Sequence, residues 1–420
     1  MNHGKTENRP AKKNGNGYIW NAMAGVMNAA EAVILSMVVT RTNGLADAGI
    51  LSIAFAVGNL MMAVGKFGVR NYQVTDLKGT FSFSDYFYAR IATVVLMAVF
   101  SMAYLWYCVQ EKGYYVSKTA VISAICLIYA TESIEDVFWG LYQQKQALDT
   151  GAKLFIIRWA AILAVFILVL VKNQNLCLAS VCGAITGAVV CLFCQVCVFH
   201  RFSEKMGRMQ PMVVYQLLKQ CFPLFAVSFL SFYVINAPKY AIDRYLSEEV
   251  QACYGFIAMP VFVIGLLNSF IYQPTLVQLA LEWKEGRSGS FRKRTQRQCL
   301  ILAGLTLICL TGAFFFGVPV LSLLYGTDLG DYKIQMLILL FGGGIYALAG
   351  YLCVVLTIMR KQRMIMYGYA AVAVIAAGFS NLVVRRYAVT GACVFYFMQM
   401  TGLAVCYFLM YQKSLKEGMS

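Results

Sequence analysis

The chain is expected to be an all-α polytopic membrane protein with about 12 transmembrane helices, and three observations predict this. Of 420 residues, 60% are hydrophobic and 13% charged, with a mean hydropathy of +0.66. That is more apolar surface than a soluble domain of this length can bury. Apolar runs of the about 20 residues that cross hydrocarbon recur from Tyr18 to the C-terminal tail, separated by short polar loops. Runs such as "WAAILAVFILVLV" are apolar on every face, whereas a transmembrane barrel would show alternating segments of roughly ten residues.

Taken in order, twelve spans are expected at approximately 18–40, 45–65, 86–108, 118–139, 153–171, 176–199, 217–237, 250–274, 298–324, 334–358, 365–384 and 390–411. The basic head "MNHGKTENRPAKKNGNG" precedes a run too long for a secretory signal, and no convincing small-residue cleavage site follows. Residues 1–17 are therefore read as a disordered basic cytoplasmic tail. The next six spans form an N-terminal bundle over 18–199, a cytoplasmic linker follows at 200–216, a second six-helix bundle covers 217–411, and 412–420 form a cytoplasmic tail. The halves echo one another. "VVTRTNGLADAGILSIAFAV" leaves the first span and enters the second behind an acidic helix start, and "INAPKYAIDRYLSEEVQACYGFIAMPV" does the same in the second half. This puts Arg41 and Lys239 at comparable points near the outer mouth. Transporters are commonly built from such repeats, with the binding site between them.

The formal net charge of +16 raises the question of nucleic acid, which the placement of the charges answers. With the N-terminus inside, 26 of the 35 Lys and Arg fall in or beside cytoplasmic segments. That is the positive-inside pattern of an even number of spans with both termini cytoplasmic, and it argues against a nucleic-acid partner. The most basic loop, "LEWKEGRSGSFRKRTQRQ", is suited to anionic headgroups, so membrane lipids are expected partners.

Between the second and third spans lies "KFGVRNYQVTDLKGTFSFSDY", read as a cytoplasmic elbow. Gly79 offers a turn, and Ser84 and Asp85 stand where they can cap the third span. Of seven prolines, Pro223, Pro238, Pro260 and Pro274 fall within or at the ends of the seventh and eighth spans. These helices should bend, with Pro238 and Pro260 as candidate gate residues and kinked packing as the alternative.

Ionisable side chains within a span cost about 2.5 to 3.5 kcal/mol each at the helix centre, so each requires a reason. Glu31 sits mid-span among alanines in "NAAEAVIL". Glu132, Glu135 and Asp136, in "YATESIEDVFWG", are spaced to share one helix face. Arg158 lies just over a turn inside the fifth span. These four acids, Glu31, Glu132, Glu135 and Asp136, are candidates for coupling to H+ or Na+; in the alternative reading the span-four acids pair with loop cations such as Lys66, Arg70 or Lys145, and Arg158 snorkels.

No cofactor or metal is expected. His3 and His200 lie outside the spans, the fourteen cysteines sit mostly inside apolar runs, as in "CLFCQVC", and no phosphate-binding loop of the nucleotide-hydrolase type occurs. "FGGGIYALAG" fits close helix packing better than phosphate cradling. External loops are too short for a catalytic domain, so the chain is not expected to be an enzyme.

Three stretches, "GVRNYQVTDLKGTFSFSDYFYAR", "ESIEDVFWGLYQQKQALDTGAK" and "NAPKYAIDRYLSEEVQACYGFIAMPVFVIGLLNSFIYQP", resemble bacterial polysaccharide flippases of the multidrug/oligosaccharidyl-lipid/polysaccharide exporter superfamily. The second stretch departs from the family pattern: Ala147 stands where Arg usually precedes Leu-Asp. The resemblance implies two six-helix bundles forming a V around a central cavity, working by alternating access in the bacterial cytoplasmic membrane. It implies a cargo of undecaprenyl-diphosphate-linked oligosaccharide, with polysaccharide-assembly proteins as candidate partners. A diphosphate needs fixed cations in a shielded cavity, for which Arg41 and Lys239 are candidates at the outer side and Arg70 and Arg158 at the inner approach. A cation-coupled multidrug exporter of the same superfamily is the alternative, kept open by Glu31.

Overall fold

The structure, a computed structural model, describes residues 15–76, 79–202 and 206–417. Fourteen α-helices follow in order: α1 (Gly15–Asn43), α2 (Leu45–Lys66), α3 (Val69–Thr75), α4 (Phe83–Lys112), α5 (Val116–Gln144), α6 (Leu148–Asn173), α7 (Leu176–Phe199), α8 (Pro211–Tyr245), α9 (Glu248–Tyr272), α10 (Leu276–Lys284), α11 (Ser288–Gly312), α12 (Val318–Tyr325), α13 (Lys333–Ile358) and α14 (Gln362–Glu417). Among the described residues there is no strand.

Among the described residues, ten stretches are long and apolar enough to cross a membrane. The expected total of about twelve is reached through two further helices. α5 has the length, but Lys118 and the acids Glu132, Glu135 and Asp136 lower its hydropathy. α14 turns at Ala388 (φ 48, ψ −136) and is two helices in one run. The chain is a multi-pass membrane protein. Its outer faces suit lipid: Leu192, Phe193, Ile308 and Leu323 are 68%, 69%, 71% and 77% exposed, an outward apolar surface that a soluble monomer would avoid.

Element ends differ from expectation in places. Most of the expected N-terminal tail, residues 1–14, lies outside the described residues, as do 203–205 of the linker and 418–420; α1 already begins at Gly15. α8 starts at Pro211, six residues before the expected span. Proline is favoured at a first helical position, where its missing N–H is not needed and its φ is already helical.

α2 lies at the centre. Nearly its whole length is buried, packed by α1, α4 and α5 and, from the second half of the chain, by α8 and α9. Small residues allow the approach. A first side-chain carbon on Gly49 would stand 1.8 Å from the Glu248 carbonyl oxygen, and one on Gly255 would stand 2.6 Å from Ser52 Oγ. With Ala48 and Ala252 fully buried beside them, this seam brings α2 against α9 backbone to backbone.

The polar elbow is a folded unit. α2 ends at Phe67 and Gly68, both at positive φ, and Phe67 stacks on Phe225 of α8 with centroids 4.2 Å apart. Gly68 has a second reason to be glycine: an added carbon would meet Leu224 Cβ at 2.6 Å. After α3, Asp76 accepts from the Thr80 and Phe81 amides at 3.1 Å and from Tyr86 Oη at 2.9 Å. Burial alone would raise the Asp76 pKa, but these donors outweigh it and hold the carboxyl below the usual range. The cap of α4 is a reciprocal pair in which Ser82 Oγ accepts from Asp85 N and Asp85 accepts from Ser82 N at 2.8 Å. Asp85 therefore serves as expected, whereas Ser84 accepts from Gly207 N at 2.6 Å and ties the elbow to the segment before α8.

Pro223 and Pro238 lie inside α8 and Pro260 inside α9; both helices continue through their prolines. Pro274 instead stands in the 3₁₀ turn Gln273–Thr275 that ends α9.

Candidate functional site

Ionisable side chains gather in two places. The first is a lattice built on α5. Its acids, three and four residues apart, face cations from four other helices: Lys66 of α2 lies 2.9 Å from Glu132, Arg70 of α3 lies 3.4 Å from Asp136, Arg90 of α4 lies 2.7 Å from Asp136, and Arg158 of α6 lies 2.7 Å from Glu135 and 3.2 Å from Glu132. Arg90 also donates to the Gly65 carbonyl at 2.7 Å, where α2 nears its end. Arg70 lies over the Trp139 ring at 4.6 Å and donates to Gln143 at 3.1 Å. Arg90 and Arg158 are fully buried. The pairing of the α5 acids with Lys66 and Arg70 was one of the two sequence readings; the part of Arg90 was not foreseen. Its signal was present, an arginine just over a turn inside an expected span, as with Arg158.

Glu31 of α1 is 3% exposed, and its Oε2 has no partner among the described residues. It completes a balanced set of four carboxylates (Glu31, Glu132, Glu135, Asp136) and four cations (Lys66, Arg70, Arg90, Arg158). A cavity of about 330 Å³ opens beside them, lined by the α5 acids, Lys66, Arg70, Trp139 and residues of α1 including Asn28. Buried pairs of this kind are weak evidence for net stability but costly to break singly.

The second gathering joins the other ends of the helices. Asp243, in the last turn of α8, lies 2.9 Å from Lys112 at the end of α4 and 2.9 Å from Lys118 in α5, and it accepts from Tyr114 Oη. Its side chain is 1% exposed. Lys118 also lies 3.3 Å from Glu248, to which Tyr115 donates at 3.1 Å. None of these residues was singled out in the sequence, because the pairs join segments about 130 positions apart.

Arg41, at the end of α1, donates to the Leu323 and Leu324 carbonyls at 2.5 and 3.1 Å, satisfying the C-terminal carbonyls of α12. Lys239 follows Pro238 in α8. It is densely surrounded by protein yet keeps accessible surface, and among the described residues it has no hydrogen-bond or ion-pair partner. The neighbouring Tyr240 donates to the Ala56 carbonyl of α2 at 2.9 Å. Pro238 is buried and Pro260 half-buried.

Comparison with known proteins gives three principal findings. The chain is 21% identical over 399 residues to the capsular polysaccharide biosynthesis protein CapF of Staphylococcus aureus, covering 93% of this chain and 97% of that protein. Its fold matches a multidrug resistance transporter of the MATE family and MOP superfamily in an inward-facing conformation, with a TM-score of 0.73 at 10% identity over 96% of this chain and 99% of that one. It also matches the lipid II flippase MurJ in an inward closed conformation, with a TM-score of 0.65 at 10% identity over 96% and 89% of the two chains. No family model matches the sequence.

Proposed function

We propose that this chain, which has the fold of the multidrug/oligosaccharidyl-lipid/polysaccharide exporter superfamily, is a flippase. Its cargo is an undecaprenyl-diphosphate-linked oligosaccharide repeat unit, carried across the bacterial cytoplasmic membrane for surface polysaccharide assembly. The twelve crossings divide into bundles over 18–199 and 217–411 that enclose the path, with both termini cytoplasmic.

The observation that carries this reading is the unpartnered ammonium of Lys239. The lattice on α5, with Glu31 of α1 beside it, counts four acids against four cations and so offers no net negative field to a cationic drug. Lys239 stands inside the fold without a counter-charge among the described residues, as a site for an anionic head group requires. Similarity to a capsular polysaccharide biosynthesis protein along nearly the whole chain and the fold shared with a lipid II flippase support the same cargo class. The membrane potential can contribute: each negative charge leaving an inside-negative cell gains about 2.3 kcal/mol per 100 mV.

The experiment is to purify the chain, reconstitute it in vesicles carrying undecaprenyl-diphosphate oligosaccharide in the inner leaflet, and follow its arrival outside. Transport lost in Lys239→Gln and retained in Lys239→Arg supports the reading; transport indifferent to both rejects it. The second reading, a cation-coupled multidrug exporter, is favoured by the unpartnered oxygen of Glu31. It requires that expression raise drug tolerance while polysaccharide stays unchanged.

A further inference from the structure

The α4–α5 turn presents a second cationic site. Gly113, at φ 67, caps α4 and reverses the chain, so Lys112, Tyr114 and Lys118 converge on one point. Both lysine side chains are more than nine-tenths buried, at 7% and 8% exposure. The Tyr114 ring lies 4.4 Å from the Lys118 ammonium and 5.6 Å from that of Lys112. The turn has one acid of its own, Glu111, which is exposed and bonds to neither lysine. The anion that fills the cradle is Asp243, brought by α8 from the other half of the chain.

Two ammonium groups and a hydroxyl around one carboxylate are the donor set of an oxyanion site. Here the protein supplies the anion itself. When α8 moves away from the α4–α5 turn, Asp243 leaves with it. Lys118 retains Glu248 only if α9 stays, and Lys112 keeps the Tyr104 and Tyr114 rings but no carboxylate among the described residues. A buried cation left unpaired is strongly unfavourable, so separation at this end is favoured by any anion that takes the place of Asp243.

We propose that Lys112, Tyr114 and Lys118 form a diphosphate-binding cradle that Asp243 occupies as an internal substitute, and that the cargo's diphosphate displaces it as this end opens. The proposal rests on the flippase reading for the source of the diphosphate. The cradle binds by its own chemistry and is tested without cargo.

The probe is inorganic pyrophosphate, titrated calorimetrically into the detergent-solubilised full chain. Asp243→Asn should bind it at least about tenfold more tightly than the unaltered protein, and adding Lys112→Gln or Lys118→Gln should abolish that gain. Equal affinity with and without Asp243, or a gain that survives loss of either lysine, overturns the proposal. A second measurement leaves Asp243 in place. Hydrogen exchange of the α8–α9 turn in the unaltered protein should accelerate with pyrophosphate and fail to do so in Lys112→Gln; unchanged exchange in the unaltered protein also overturns it. Transport in vesicles separates the two claims. Cargo movement unaffected by Lys112→Gln and Lys118→Gln defeats the cradle and leaves the flippase standing. Pyrophosphate binding as expected, with no cargo moved by the unaltered protein, defeats the flippase reading and leaves the cradle.

Discussion

Arg158 of α6 holds Glu135 of α5 at 2.7 Å, both side chains being sealed from solvent. Replacing Arg158 by Met would leave Glu132 and Glu135 in the interior without their shared cation. Breaking a buried pair costs about 3–5 kcal/mol, so Arg158→Met should sharply lower the thermal midpoint of the detergent-solubilised protein. Adding Glu135→Gln should restore part of the loss, since one stranded charge is then removed. A double variant no more stable than the single would contradict this arrangement.

Lys239→Gln should leave the thermal midpoint nearly unchanged, because Lys239 has no partner to lose among the described residues. Its effect should fall on transport. A hydrogen bond to a charged group contributes about 1.5–3 kcal/mol, so the initial rate at low cargo concentration should fall roughly 10- to 100-fold, measured in the vesicle assay.

Much of this was legible in the sequence, for a definite reason. Crossing helices are fixed by local apolar length, and even α5, with its charges, was recognised because its apolar stretch precedes the acids. Glu132, Glu135 and Asp136 revealed themselves as charges that hydrocarbon would not accept. Which cations neutralise them is a matter of tertiary distance: Lys66 and Arg70 were foreseen as candidates, and Arg90 was not. The Asp243 cluster was illegible for the same reason. Aspartate in a helix's last turn and lysine near a helix end are each ordinary alone, and only the fold makes them meet. The break at Ala388 was expected between two spans, but its form, one residue at positive φ without a glycine, was not.

Gly49→Val should act on the seam between α2 and α9. The new side chain would overlap the Glu248 carbonyl, and overpacking of this kind costs about 1–3 kcal/mol. Since about 1.4 kcal/mol is tenfold in an equilibrium, the ratio of seam-closed to seam-open protein should fall by roughly 5- to 150-fold. Distances between spin labels on the α4–α5 and α8–α9 turns would lengthen; a distribution identical to that of the unaltered protein would refute it.

Glu31→Gln tests coupling. If Glu31 carries a proton or sodium ion, its amide should support flux that no longer responds to either gradient, while the unaltered protein responds. Flux that keeps its ion dependence in Glu31→Gln assigns coupling elsewhere.

The elbow gives a pH prediction. Because Asp76 titrates below its ordinary value when folded, its contribution is complete above the unfolded value of about 3.9 and is lost as pH falls through the folded one. Proteolysis of the elbow should therefore stay slow down to about pH 4 and accelerate below it. In Asp76→Asn it should be faster already at neutral pH.

α8 has 35 residues, about 52 Å of rod at 1.5 Å per residue, and so overshoots the roughly 30 Å of hydrocarbon. It carries both Phe225, stacked on Phe67 of the elbow, and Asp243 in its last turn, and Pro223 and Pro238 each delete a rung, two residues before Phe225 and five before Asp243. The stiff section between them can act as a lever, with a compliant joint at either tip. A tug on its Asp243 tip is thereby felt at the elbow, so events on the two faces of the bilayer are geared together through a single piece of backbone.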